Sequence, residues 1–209
     1  MWGDVNPNTI TTVGTLLTIA AGVVYATGHI MTAGWLMSVT AVFDVIDGQV
    51  ARRTGRSTVF GAFYDSTLDR VADGALVAGL TVFYMTSPAH HNIYMVVVCL
   101  VGIIGTFLVS YTRARAESLG IDAKVGVMQR PERIILLSAP QALFGLFWSG
   151  WVLMGIIILL SVTAWITAVQ RIAFVYRFTK NIESKPIRMV SDPASPPKAG
   201  VSAPRRAQS

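Results

Sequence analysis

Six apolar segments, each long enough or nearly so to cross a bilayer as a helix, constrain this chain of 209 residues more than any other feature. They run over Thr9–Ala26, Thr32–Val50, Phe60–Met85, Asn92–Ser110, Ile134–Trp148 and Trp151–Tyr176. The fifth is the shortest. Each run is continuously apolar, without the alternation of a transmembrane β-barrel, so the expected fold is all-α and polytopic, with six transmembrane helices. Only 13% of the residues are charged while 53% are hydrophobic, and it is the depletion of charge that marks lipid as the solvent. The net charge of +6 could suggest a nucleic-acid binder, but a basic soluble patch does not come with long uncharged runs. No nucleic-acid partner is expected.

The connections fall into two kinds. Gly28–Met31, Ser87–His91 and Ser149–Gly150 are short and free of Lys and Arg. The stretch Arg52–Arg56, the stretch Arg113–Arg133 and everything after Arg171 are rich in both. All 17 basic residues lie in or beside this second set, with Arg70 counted at the start of the third segment. The positive-inside rule puts that side in the cytoplasm, and an even number of spans puts both termini there. The N-terminus has no basic region ahead of its first apolar run, so that run is expected to be a retained span and not a cleaved signal. Asn6-Pro7-Asn8-Thr9 suits a helix start. Residues 1–179 read as one transmembrane domain, and 180–209, rich in Pro, Ser, Ala and basic residues, as a disordered basic cytoplasmic tail. The lone cysteine, Cys99, sits among valines and is expected to pack as a small apolar residue.

Five of the 11 acidic residues lie between Asp44 and Asp73. Asp44 and Asp47 are three apart near the cytoplasmic end of the second segment. Asp65 and Asp69 are four apart near the cytoplasmic start of the third. Those spacings put side chains on one helix face. One carboxylate at mid-membrane costs about 2.5–3.5 kcal/mol, and four together repel one another. Such a group needs counter-charge, from Arg52, Arg53, Arg56 and Arg70 or from a cation. An all-oxygen donor set suits Mg²⁺ or Mn²⁺. A lone aspartate at a helix end is usually a cap or an ion-pair partner; four at matched spacing point to function. Gly48, Ala51 and Gly61 lie on the same faces and leave room for a ligand or for close helix packing.

The pattern Asp44-x-x-Asp47-Gly48-x-x-Ala51-Arg52, eight residues, then Gly61-x-x-x-Asp65-x-x-x-Asp69 resembles the signature of the CDP-alcohol phosphotransferase (CDP-alcohol phosphatidyltransferase) family at every defined position. The resemblance implies an enzyme of phospholipid biosynthesis that moves a phosphatidyl group from CDP-diacylglycerol to an alcohol and releases CMP. It implies two divalent ions held by Asp44, Asp47, Asp65 and Asp69, with Asp69 as the general base. It implies that Asn8, Thr11, Gly48, Ala51, Arg52 and Gly61 bind the CDP group. It also implies a homodimer, for which Gly102 and Gly105 give no GxxxG spacing. Asp73 continues the row of acidic residues outside the signature and is expected to have a structural or pairing role.

Basic residues recur at Arg113, in Arg130-Pro131-Glu132-Arg133 and in Gln170-Arg171. This pattern resembles the phosphatidylinositol phosphate synthases of that family, where such residues hold the phosphate of inositol phosphate. Position 113 departs from the pattern, with Arg where Lys is expected. Clustered arginines suit a phosphate dianion, so a phosphorylated acceptor is expected, inositol 1-phosphate first and glycerol 3-phosphate (a phosphatidylglycerophosphate synthase) second. An ion transporter would place ionisable groups near the midplane of several helices, yet the fourth to sixth spans hold no interior Asp or Glu. The expected location is a bacterial cytoplasmic membrane with the active site facing the cytoplasm.

Overall fold

The computed structural model describes residues 7–41, 58–123, 125–126, 130–146 and 150–180. Among these residues the chain is all-helical: α1 (Pro7–Ala26), α2 (Ile30–Ala41), α3 (Val59–Thr86), α4 (Ile93–Ser118), α5 (Arg130–Phe144) and α6 (Trp151–Lys180). Pro7 opens α1, where a missing N–H costs nothing. The hydroxyls of Thr12, Thr15 and Thr18 bond back to the carbonyls of Asn8, Thr11 and Gly14 at 2.7, 2.9 and 2.9 Å, so these polar side chains are satisfied within their own helix. Thr58 caps α3 by accepting from Gly61 N at 2.9 Å. Asn92 caps α4 by accepting from Tyr94 N and Met95 N at 3.0 and 3.2 Å.

Two close helix pairs organise the bundle, α1 on α3 and α4 on α6. The first is a backbone contact. A Cβ at Gly22 would stand 2.6 Å from the carbonyl oxygen of Ala75, and one at Gly79 would fall on the carbonyl of Gly22. In the second, the Ser161 side chain packs directly against Gly102, where a Cβ would clash with it, and Gly105 lies under Trp165 and Ala164. Across the same seam Ser161 Oγ donates to Val98 O at 3.2 Å and Trp165 Nε1 to Val101 O at 3.0 Å. Gly102 and Gly105 thus serve packing within the chain. Tyr25 of α1 reaches α5, donating its hydroxyl to Leu137 O at 2.9 Å. The core between the helices is formed by residues such as Tyr25, Met37, Leu80, Phe83, Cys99 and Leu153. Cys99 is buried there as a small apolar residue.

The outside of the bundle is apolar as well. Leu16, Val23, Trp35, Phe63, Leu100, Ile104, Val162 and Val169 are all exposed, a surface suited to lipid and not to water. The segments Asn8–Ala26, Ile93–Ser118 and Trp151–Lys180 are long and apolar enough to cross a membrane. Trp35 and Trp151 are exposed, as an aromatic belt requires, while Trp148 lies outside the described residues.

Several boundaries differ from those expected. The stretch after Ser110 is not a loop: α4 continues to Ser118 and carries Arg113 and Glu117. Arg113 and Glu117 pair at i,i+4, and Ala114 and Ala116 favour a helix. The apolar run thus ends before the helix does. α5 begins four residues earlier than the apolar run, at Arg130, and ends at Phe144, with Pro140 inside it. α6 runs past Tyr176 to Lys180.

Candidate active site

The expected site residues that are described gather at one end of the bundle. Asn8 sits in the first turn of α1 and Gly61 in the first turn of α3. The α1–α3 seam brings them together: a Cβ at Gly61 would stand 3.4 Å from Asn8 Oδ1 and 3.0 Å from Thr58 Oγ1. Thr11 lies on the next part of α1 and is partly buried. Beside them Thr12 Oγ1 and Tyr64 OH are 3.0 Å apart, and Tyr64 stacks on Phe60. The sequence reading did not single out Thr12 or Tyr64. The signal was available: Thr12 is one turn beyond Asn8, and Tyr64 is one turn beyond Gly61 and next to Asp65.

Asp65 and Asp69 follow on α3, one turn apart. Asp65 is exposed, and the Asp69 side chain is 18% exposed with Arg70 Nη1 at 3.9 Å from its Oδ2. Arg70 also donates from Nη1 to the carbonyl of Ser66. Of the four arginines expected to supply counter-charge, Arg52, Arg53 and Arg56 lie outside the described residues, as do Asp44, Asp47, Gly48 and Ala51. Among the described residues no three or more His, Cys, Asp or Glu come together as a metal site. The donors that are described, two carboxylates one turn apart, fit a hard divalent cation.

Arg113, Arg133 and Arg171 come from α4, α5 and α6. Arg171 lies within electrostatic range of Arg113, Arg133 and Glu117. Arg70 lies within range of Asp73, Arg133, Asp65 and Arg113. Three helices therefore bring arginines to the flank of the acidic row on α3. Each is held differently. Arg113 pairs through Nε with Glu117 Oε1 at 2.9 Å, both about half exposed, an arrangement worth only about 0.3–0.5 kcal/mol. Arg133 reaches Asp73, Nη2 to Oδ2 at 3.4 Å, with both side chains 17% exposed. The expected pairing role of Asp73 is therefore met. Arg171 donates from Nε to Val125 O at 2.8 Å and from Nη1 to Val109 O. The histidines are remote: His29 and His91 are exposed near the opposite ends of these helices, and His90 lies against Phe83.

A CDP-alcohol phosphatidyltransferase family model matches residues 4–176. The chain is 39% identical over 171 residues to the archaetidylinositol phosphate synthase of Methanothermobacter thermautotrophicus, covering 82% of this chain and 83% of that protein. It is 37% identical over 166 residues to the phosphatidylinositol phosphate synthase of Mycobacteroides abscessus, covering 79% and 74%. The fold is similar to the crystal structure of the Mycobacterium tuberculosis phosphatidylinositol phosphate synthase with CDP-DAG bound, with a TM-score of 0.74 and 30% identity over 83% of this chain and 87% of that one. It is equally similar to the same enzyme in complex with manganese and citrate, with a TM-score of 0.73 and 30% identity over 82% and 83%. A match over most of the chain, joined to the acidic motif in the sequence and the apolar helical bundle, identifies an integral membrane enzyme: the chain belongs to the CDP-alcohol phosphatidyltransferase family.

Proposed function

We propose that this enzyme transfers the phosphatidyl group of CDP-diacylglycerol to a hydroxyl of inositol 1-phosphate and releases CMP. The observation that carries the acceptor choice is the convergence of Arg113, Arg133 and Arg171 from three helices beside the carboxylates of α3. Planar, permanently charged guanidinium groups suit a phosphate dianion. A neutral or zwitterionic acceptor offers no anionic group to match three clustered cations. The named activities of the relatives support inositol phosphate over glycerol 3-phosphate.

In this reading Asp44, Asp47, Asp65 and Asp69 hold two Mg²⁺ or Mn²⁺ ions, which when bound offset the charge of the diphosphate and of the departing CMP. Asn8, Thr11, Gly48, Ala51, Arg52 and Gly61 hold the cytidine end of the donor. Arg113, Arg133 and Arg171 hold the phosphate of the acceptor and so aim its hydroxyl. Asp69 takes the proton of that hydroxyl as its oxygen attacks the phosphorus bearing the diacylglycerol. A new P–O bond forms there, the bond to the bridging oxygen of the diphosphate breaks, and CMP leaves with that oxygen and its electron pair.

The segregation of Lys and Arg supports six spans with both termini in the cytoplasm, and the site at the basic end of the bundle faces the same side of a bacterial cytoplasmic membrane. Residues 1–179 form the catalytic domain of a homodimer and 180–209 a basic tail.

CMP release by purified protein with Mg²⁺ and CDP-diacylglycerol tests the proposal, with inositol 1-phosphate, glycerol 3-phosphate, inositol and serine offered separately. Release with inositol 1-phosphate alone supports it. Release with glycerol 3-phosphate alone keeps the chemistry and overturns the acceptor. Release with neither phosphorylated acceptor overturns the reading of the arginines.

A further inference from the structure

Asp73 stands one turn beyond Asp69 on α3, continuing the acidic row past the motif. Its partner is not on its own helix. Arg133, 60 residues away on α5, brings Nη2 to 3.4 Å from Asp73 Oδ2. Both side chains are 17% exposed. Both also line a partly open apolar pocket, whose other walls include Leu76, Leu80, Leu137 and Ile157. Among the described residues they are the charged ones of that wall.

These surroundings fix the geometry. A carboxylate and a guanidinium beside an apolar cavity stay together because separating them leaves a poorly solvated charge. A guanidinium carries five N–H donors in a rigid plane. Among the described residues the contact to Asp73 uses one nitrogen, Nη2, and leaves the remaining N–H groups of Arg133 for another partner. The neighbouring cations are Arg70 and Arg171, both within electrostatic range of Arg133, and Arg113 is within range of each of those two. Left alone among them, Arg133 is pushed outward by like charge. Asp73 supplies the opposing pull, from a helix that also carries Asp65 and Asp69.

We infer that Asp73 is a positioning residue for the acceptor: it holds the Arg133 guanidinium so that its free edge faces the incoming phosphate. This rests on the reading of Arg133 as an acceptor-phosphate residue. Asp73 does not touch substrate. It sets the angle and depth of the group that does, and links the acceptor pocket to the helix bearing the catalytic carboxylates.

The test measures KM for inositol 1-phosphate, KM for CDP-diacylglycerol, and kcat, in Asp73→Asn, Asp73→Ala, Arg133→Ala and the double variant Asp73→Ala/Arg133→Ala. Positioning predicts that Asp73→Ala raises acceptor KM by about tenfold, with the donor KM and kcat at saturating acceptor little changed. Asp73→Asn, whose amide oxygen can still accept from Nη2, raises it less. In the Arg133→Ala background Asp73→Ala adds no further rise, because the group it positions is gone. If Asp73→Ala folds poorly, the near-isosteric Asn variant carries the same comparison. A fall in acceptor KM in both Asp73 variants overturns the inference, since Asp73 would then be repelling the phosphate. Additive effects in the double variant also overturn it. An unchanged acceptor KM in Arg133→Ala overturns both this inference and the assignment of Arg133 on which it stands.

Discussion

Arg171 on α6 donates from Nε to the backbone carbonyl of Val125 at 2.8 Å, and from Nη1 to the carbonyl of Val109 on α4. One side chain thereby ties α6 to α4 and to the connection that leads into α5. Lysine keeps the charge but cannot hold two carbonyls in a fixed fork. Hydrogen bonds from charged donors contribute about 1.5–3 kcal/mol, so Arg171→Lys is expected to speed amide exchange through residues 119–126 by roughly tenfold to a hundredfold. Hydrogen exchange read by mass spectrometry in detergent checks this. Exchange at the wild-type rate would mean that the two carbonyl contacts carry no weight.

The α1–α3 seam has no room for a side chain. A Cβ at Gly79 would fall on the carbonyl of Gly22, which is backbone and cannot turn aside. Gly79→Ala must push the helices apart, at a cost of about 1–3 kcal/mol. Asn8 and Gly61 face each other across the same two helices, so activity is expected to fall together with the detergent Tm. Gly155 is the control, because nothing lies within 4 Å of a Cβ placed there. Gly155→Ala should hold or raise Tm, since alanine is the better helix former by about 0.5–1 kcal/mol. Equal Tm losses in the two variants would refute the packing account.

The helices were legible because charge depletion over a bilayer's length leaves few alternatives, and the described half of the acidic motif was legible because Gly61, Asp65 and Asp69 follow one another at one-turn spacing on α3. What escaped the sequence depends on how one helix lies on another. Asp73 could be read as a pairing residue, but nothing local names Arg133, 60 residues on, as its partner. Gly61 and Asn8 meet only because α1 packs on α3 through Gly22 and Gly79. The end of α4 was missed for a different reason. Hydropathy reports where the apolar run ends, whereas the helix persists to Ser118 on local propensity and the Arg113–Glu117 pair. Thr12 and Tyr64 each lie one turn from an expected site residue, but position along a helix does not show that their hydroxyls meet at 3.0 Å across the α1–α3 seam.

Trp165 holds α6 to α4 through the hydrogen bond from Nε1 to Val101 O at 3.0 Å, near the outer surface of the bundle. Interhelical hydrogen bonds in membranes average about 0.6 kcal/mol, and Val101 O lies in a helical ladder of its own. Trp165→Phe is therefore expected to lower the detergent Tm by only a few degrees and to leave kcat and both KM values unchanged, as the residue belongs to neither the proposed donor site nor the proposed acceptor site. A loss of activity at full stability would mean that the α4–α6 seam transmits to the active site.

Asp65 and Asp69 share one face of α3 but not one environment. Asp65 is exposed, while the Asp69 side chain is 18% exposed with Arg70 Nη1 at 3.9 Å. If both only held metal, their amide variants would behave alike: each would need more Mn²⁺, and each would recover when it was supplied. A general base is different, because no added cation replaces a missing proton acceptor. Asp65→Asn is expected to raise the Mn²⁺ concentration for half-maximal CMP release and to recover substantially at saturation. Asp69→Asn is expected to lose about 10²–10⁴ in kcat and not to recover at any Mn²⁺ concentration. Metal titrations of CMP release in the two variants separate these roles, and full rescue of Asp69→Asn by Mn²⁺ would reassign Asp69 to the metal alone.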